Sequence, residues 1–342
     1  MSKQITKIDE KNINSTEKTR TPLLDVQGLK KFFPVKGVFG NFGKPAGFVK
    51  AVNDVSLQIY EGETYGLVGE SGCGKSTTGR TILRLIEPTE GKVLLNNEDI
   101  FQMSNKEFRN IRQEMQIVFQ DPYSSLNPRK RIGQIIEEPL NIHNIGAKNE
   151  RSDVVMEILE KVGMRIDHYY RYPHELSGGQ RQRIGLARAL VVNPKLIIAD
   201  EPVSALDVSI QSQVINLLQE LQDDFQLTYL FIAHDISVVR HVSDRIGVMY
   251  LGKIVEEASS EELIESPLHP YTQALLSAVP LPNPQAKRER IVLRGEIPSP
   301  LNPPAGCIFH TRCPHVMDIC KEVVPERREM SKGHFVACHL HE

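Results

Sequence analysis

No run of apolar residues in this 342-residue chain approaches the roughly 18 to 20 that a membrane-spanning helix needs. The polar opening MSKQITKIDEKNINSTEKTR also lacks the apolar core of a signal peptide. The chain is therefore expected to stay in the cytosol unless another component carries it to a membrane. Excess charge of either sign is missing too: 41 Lys and Arg face 43 Asp and Glu, a formal net charge of −2. That balance argues against a nucleic-acid binder held by its overall field, and no nucleic-acid partner is expected. Cysteine is nearly absent before the end of the chain, where Cys73 is followed only by Cys307, Cys313, Cys320 and Cys338. In a reducing cytosol such a late cluster points to a metal site rather than a disulfide framework. No internal repeat is present.

What is present suffices for a large core: 40% of residues are apolar and 25% charged, which suits one large domain with a smaller one attached. Residues 1–22 mix charges with Asn, Ser and Thr and are read as a frayed tail. Leu23 to about Tyr65 is strand-like and interrupted by glycines, consistent with a small antiparallel lobe carrying one long loop. STTGRTILRLI, from Ser76, reads as a helix ending before Pro88, and about 121–190 is mostly helical. KLIIAD and TYLFIAHD are short apolar runs separated by an amphipathic helix from about Ser209 to Asp224, the pattern of parallel strands buried on both faces. IGVMYLGKIVEEAS reads as a hairpin closing this α/β core. The main domain is placed at 23–265 and the tail at 266–342. The sequence turns proline-rich after Pro267, with a boundary near Pro280 before the metal-stapled part.

GESGCGKST, Gly69 to Thr77, follows a strand and opens a helix. Its spacing, Gly, four residues, Gly, Lys, then Ser, is that of a phosphate loop. Gly69, Glu70, Ser71, Gly72, Cys73 and Gly74 would turn backbone N–H groups around a phosphate at a helix N-terminus. Cys73 is read there as a small tolerated residue. Lys75 would reach the β- and γ-phosphates of ATP, and Ser76 would ligate Mg²⁺. Asp200 ends a buried strand and can hold the Mg²⁺ shell, while the adjacent Glu201 is placed to polarise an attacking water. His234, after the next strand, can contact the γ-phosphate. Gln120 can touch Mg²⁺ or the attacking water. LSGGQ presents Ser177, Gly178, Gly179 and Gln180 at a second helix N-terminus suited to an anion. Folding it back onto its own phosphate loop is difficult, so two chains in head-to-tail array would each cover the other's ATP.

GESGCGKST, Gln120, LSGGQ, LIIADEP, SALD and His234, in this order, resemble the nucleotide-binding subunit of an ATP-binding cassette (ABC) transporter, a likeness running from Leu23 to about Ala258. The resemblance implies a P-loop ATPase with a RecA-like α/β core, an antiparallel β lobe and a helical insertion. It implies that ATP closes two such subunits beneath a pair of membrane proteins and that hydrolysis reopens them. By matching motif, Lys75, Ser76 and Thr77 bind phosphate and Mg²⁺, Asp200 supports Mg²⁺, Glu201 is the general base and His234 senses the γ-phosphate. Gln120 links the site to the membrane partner, Ser177 to Gln180 act in trans, and Asp207 of SALD lies at the dimer seam. The family's adenine-stacking aromatic falls on Phe48 or Phe33.

VKAVNDVSL, FQDPYSSLNPR, LHPYTQALLSAVP, GEIPSPLNPPAGCIFHTRCP and GHFVACHL narrow the resemblance to the F-type ATPase subunit of the oligopeptide and dipeptide permease branch. Nickel and opine importers share parts of this pattern. The branch implies peptide import with an extracytoplasmic binding protein, two membrane permease subunits and a homologous D-type ATPase subunit as heterodimer partner, at the cytoplasmic face of the membrane. For the cysteines it implies a [4Fe–4S] cluster on Cys307, Cys313, Cys320 and Cys338. Four thiolates also suit tetrahedral Zn²⁺. A non-transport cassette ATPase is disfavoured because such proteins usually carry two cassettes or a coiled-coil insertion. LSGGQ, SALD and His234 together disfavour other P-loop classes, and the lack of fused membrane helices disfavours an exporter.

Overall fold

A computed structural model of the chain describes residues 21–35, 46–279 and 290–342. The expected frayed terminus, most of the loop between Pro34 and Gly47, and the boundary near Pro280 fall outside the described residues.

Two sheets organise the described residues. The smaller is wholly antiparallel, in the order β2 (Gly47–Ile59), β1 (Leu24–Val35), β4 (Glu90–Leu95), β5 (Glu98–Asp99). It is the lobe expected near the N-terminus, completed by a hairpin that follows the phosphate loop in sequence. The larger sheet has the order β11 (Arg328–Ser331), β12 (His334–Val336), β10 (Lys253–Ser259), β9 (Arg245–Tyr250), β3 (Thr64–Val68), β8 (Thr228–Ala233), β7 (Leu196–Asp200), β6 (Met115–Val118). From β9 to β6 all neighbours are parallel, whereas β9–β10, β10–β12 and β12–β11 are antiparallel.

Every residue of β3, β7 and β8 is buried, as unbroken apolar runs require when helices cover both faces. Helix α1 (Lys75–Ile82) lies close on this sheet because Gly79 has no side chain: a Cβ there would stand 2.9 Å from Ile232 and 3.0 Å from Ile198. Helix α2 (Asn105–Glu114) then leads directly into β6. The helical region contains α3 (Pro122–Ser125), α4 (Ile132–His143), α5 (Arg151–Lys161) and α6 (Gly178–Leu190). Helix α7 (Val208–Phe225) buries Val214, Leu217, Leu218 and Leu221, the spacing of one helical face.

Two expectations change in detail. Helix α1 stops at Ile82 rather than running on towards Pro88, since Arg84 turns left-handed at φ 50° and the amides of Leu85 and Ile86 fold back on the Arg80 carbonyl. The tail's last hairpin, β11–β12, extends the main sheet through β10.

Candidate nucleotide site

Parallel strands deliver their following residues to one sheet edge. After β3 comes the phosphate loop, after β6 Gln120, within β7 Asp200 and after it Glu201, and after β8 His234. The loop's geometry demands its glycines. Gly69 sits at φ 155° and Gly74 at φ 110°, and a Cβ on them would meet the Met249 and Ala51 carbonyl oxygens at 2.1 Å and 2.0 Å. Gly72 turns at φ 80° with open space beside it. Ser71 and Gly72 are exposed, while Cys73 is buried. Burial pushes the Cys73 thiol up, opposed in part by the neighbouring Lys75 ammonium. Cys73 is thus a packed wall of the loop.

Lys75 is only 4% exposed, and its Nζ donates to the carbonyls of Gly69 (2.7 Å) and Glu70 (3.1 Å). The ammonium therefore lies inside the loop that would receive phosphates. Ser76 Oγ donates to Asp200 Oδ1 at 2.6 Å, and Arg80 Nη2 lies 3.2 Å from Asp200 Oδ2. Asp200 itself is 1% exposed. A hydroxyl and a buried carboxylate in contact at a helix start are the oxygen donors that Mg²⁺ takes, its other positions going to water and phosphate. Ser76 and Asp200 thus fit this ion. Gln120 is joined elsewhere: its Nε2 donates to Glu201 Oε2 at 2.8 Å. His234 Nδ1 stands 3.5 Å from the same oxygen, so a side chain from each of two neighbouring loops addresses the Glu201 carboxylate. Glu201 has a left-handed backbone, φ 49°, fixed by its N–H donating to the Ile232 carbonyl at 2.9 Å.

Ser177 caps α6. Its Oγ accepts from the Gln180 N–H, and Gln180 Oε1 accepts from the Ser177 N–H. This capping box uses two amides and leaves those of Gly178 and Gly179 outside it. Gly179 must lack a side chain because Ile210 of α7 lies 2.6 Å from its would-be Cβ. Ser177, Gly178, Asp207 and Val208 are exposed, Val208 by 78%. Thr77 is half-buried in α1. Phe33 and Phe48 are 36% and 47% exposed and occupy successive pairing positions, Phe33 opposite Val49 and Phe48 opposite Pro34. They therefore point to opposite faces of the lobe.

The structure lends the four-cysteine metal site no support. Among the described residues no group of three or more His, Cys, Asp or Glu is arranged to hold a metal ion. Cys307, Cys320 and Cys338 are buried and Cys313 half-buried. Burial raises the thiols of Cys307 and Cys313 and pushes Cys338 up to about 11.

Three contacts of the site carry no motif signal. Arg80 reaches Asp200 from α1, one helical turn beyond Ser76. Arg312 and Tyr271, both in the tail, reach Glu70. They stand in segments quoted above only for their overall pattern, and separations of 242 and 201 residues leave no local trace.

This fold and this edge define an ABC-type ATP-binding cassette. The family model described as "ABC transporter" matches residues 52–204, and that described as "Oligopeptide/dipeptide transporter, C-terminal region" matches 255–320. The chain is 58% identical to the oligopeptide transport ATP-binding protein AppF of Bacillus subtilis, covering 95% of this chain and 99% of that one. It is 50% identical to the dipeptide transport ATP-binding protein DppF of Haemophilus influenzae, covering 94% and 97%. Among solved structures, a dimeric ATP-binding cassette, MJ0796, in a post-hydrolysis state with ADP and Pi is 31% identical with a TM-score of 0.61, covering 69% of this chain and 98% of that one. The chain belongs to the ABC transporter ATP-binding proteins of the oligopeptide/dipeptide transport family.

Proposed function

We propose that this chain is the ATP-binding and ATP-hydrolysing subunit that powers peptide import through an ABC transporter. The observation that carries the reading is one sheet edge holding the phosphate loop, the Ser76–Asp200 pair and the Glu201–Gln120–His234 group in a chain matching both family models. The phosphate loop from Gly69 to Gly74 and Lys75 hold the phosphates, the Glu70 amide being taken up by Tyr271 instead, with Thr77 behind them, and Ser76 and Asp200 hold Mg²⁺. When bound, Mg²⁺ neutralises charge on the phosphate oxygens. Glu201 accepts the proton of the attacking water, and His234 and Gln120 orient that carboxylate. Gln120 begins the segment leading into α3 and the helical region, which suits coupling to a membrane partner. Phe48 or Phe33, on opposite faces, supplies the adenine contact.

The exposed Ser177, Gly178, Asp207 and Val208 support a seam at which a second cassette closes over the nucleotide. The dimeric solved relative supports the same arrangement. The proposed partners are a homologous D-type ATPase subunit, two permease subunits and an extracytoplasmic peptide-binding protein. Among the described residues no helix is long and apolar enough to cross a membrane, so attachment at the cytoplasmic face would run through the permease. The cassette is assigned to 23–265 and the tail to 266–342. The finer reading of the tail, a [4Fe–4S] cluster or Zn²⁺ on its cysteines, draws support only from the clustering of Cys307, Cys313, Cys320 and Cys338 late in the sequence. Iron, sulfide and zinc analysis after anaerobic purification decides it: stoichiometric metal restores the site, and none leaves the cysteines a packing role.

The test is uptake of labelled di- and pentapeptides, with free amino acids as control, in cells whose only copy carries Glu201→Gln. Loss of peptide uptake with amino-acid uptake intact is the expected result. Unchanged peptide uptake would overturn the substrate assignment.

A further inference from the structure

We infer that Arg312 is a positioning residue for the ATP site, acting through Glu70, whose negative charge on the phosphate loop it cancels. The inference rests on the nucleotide reading above and extends it to the tail.

Glu70 is the second residue of the loop, and every polar group it has is engaged. Its N–H donates to Tyr271 Oη at 2.8 Å, and its carbonyl accepts from Lys75 Nζ at 3.1 Å and from the Cys73 N–H at 3.2 Å. The carboxylate takes a two-pronged contact, Oε2 from Arg312 Nη1 at 2.6 Å and Oε1 from Nη2 at 3.0 Å. This is the fork geometry in which guanidinium and carboxylate pair most strongly. The Arg312 side chain is 7% exposed, that of Glu70 27%, so water screens the pair only partly.

A carboxylate is an odd tenant of a loop built to receive a polyanion. Loop amides, the Lys75 ammonium and the start of α1 all favour negative charge there, and a free Glu70 would oppose them. Paired with Arg312, the position becomes nearly neutral at short range. The arginine is itself held firmly. It lies on the turn from Cys307 to Cys313, where its N–H donates to the Phe309 carbonyl at 3.0 Å. Phe309 packs edge-on against Tyr250 at 5.2 Å and tilted against Tyr271 at 5.5 Å. The tail turn, the aromatic cluster and the phosphate loop thus form one contiguous body.

The test is Mg·ATP binding by calorimetry on the full chain, with the unfolding midpoint recorded for each variant. Lys75→Ala serves as control. Arg312→Gln should weaken binding about tenfold or more, and that deficit relative to wild type should shrink as salt screens the exposed carboxylate. Adding Glu70→Gln in the same chain removes the uncompensated charge and should restore affinity to within about threefold of wild type. Glu70→Gln alone should not weaken binding beyond that margin. A contact that only stiffens the loop predicts otherwise, with both single variants weakened and no rescue in the double, and that pattern would overturn the inference. Binding by Arg312→Gln equal to wild type would overturn it as well. Should Arg312→Gln fail to fold, Arg312→Lys keeps the charge and must bind near wild-type strength, while weak binding by Glu70→Gln alone sinks the charge argument. If wild type fails to bind Mg·ATP, or Lys75→Ala binds as well as wild type, the nucleotide reading itself fails instead.

Discussion

Glu201 combines two features that a substitution can separate. Its left-handed backbone holds the side chain in place at some cost in free energy, and Gln120 and His234 converge on one oxygen of its carboxylate. Glu201→Gln keeps the shape and still offers Gln120 an acceptor, but it takes no proton from water. ATP binding should persist while phosphate release falls by about 10²- to 10⁴-fold, the usual contribution of a general base. Phosphate-release kinetics beside nucleotide retention check this, and wild-type turnover would remove the base assignment. At this scale the motif residues were legible, because strand, glycine loop and helix is a local pattern. Arg80, Tyr271 and Arg312 were not, since an arginine on a helix and two tail residues acquire meaning only from what folding sets beside them.

The elements were legible where their signals are periodic and hidden where the signal is a turn. The buried strands and α7 read directly from apolar runs and helical spacing. The β4–β5 hairpin did not, although Asn96 and Asn97 at φ 50° and 67° make the paired left-handed turn that such hairpins favour, so NN between strand-like residues was an available clue. Helix α6 is the element whose start matters most. Its capping box satisfies two amides within the chain and leaves Gly178 and Gly179 on an exposed end beside Asp207 and Val208. Ser177→Arg would remove the cap, worth about 0.5–2 kcal/mol, and place a long cation on the seam. On the proposal that the residue serves the neighbouring cassette, the variant should bind Mg·ATP as wild type does yet lose steady-state turnover in the assembled transporter. Retained turnover there would contradict closure in trans.

At the scale of the whole molecule, the tail is joined to the core by buried charges that composition alone conceals. Glu257, 1% exposed, meets both Arg245 and Arg327. Glu256, buried in β10, accepts from the Leu268 and His269 amides and contacts His334 of β12 at 2.8 Å. Two histidines in this region respond to pH with opposite signs. Burial lowers His269 from 6.5 to about 4, with Glu256 opposing that fall and His341 adding to it. The folded chain then binds fewer protons than the unfolded one between those values, and stability falls as pH drops through that window. His334 is raised above 6.5 by its hydrogen bond to Glu256, and Glu262 adds in the same sense. Its contribution is full below pH 6.5 and is lost as pH rises through the folded-state value. His339, also raised, acts in that same sense. Stability should therefore peak near neutrality and decline on either side, each limb belonging to different residues. His334→Gln should be less stable than wild type at pH 6, and the gap should narrow by pH 8.5, while an acid limb persists because His269 is intact. Urea unfolding midpoints across pH 4.5–8.5 test this. A gap between variant and wild type that stays constant across the range would mean that His334 joins the tail to β10 by packing alone.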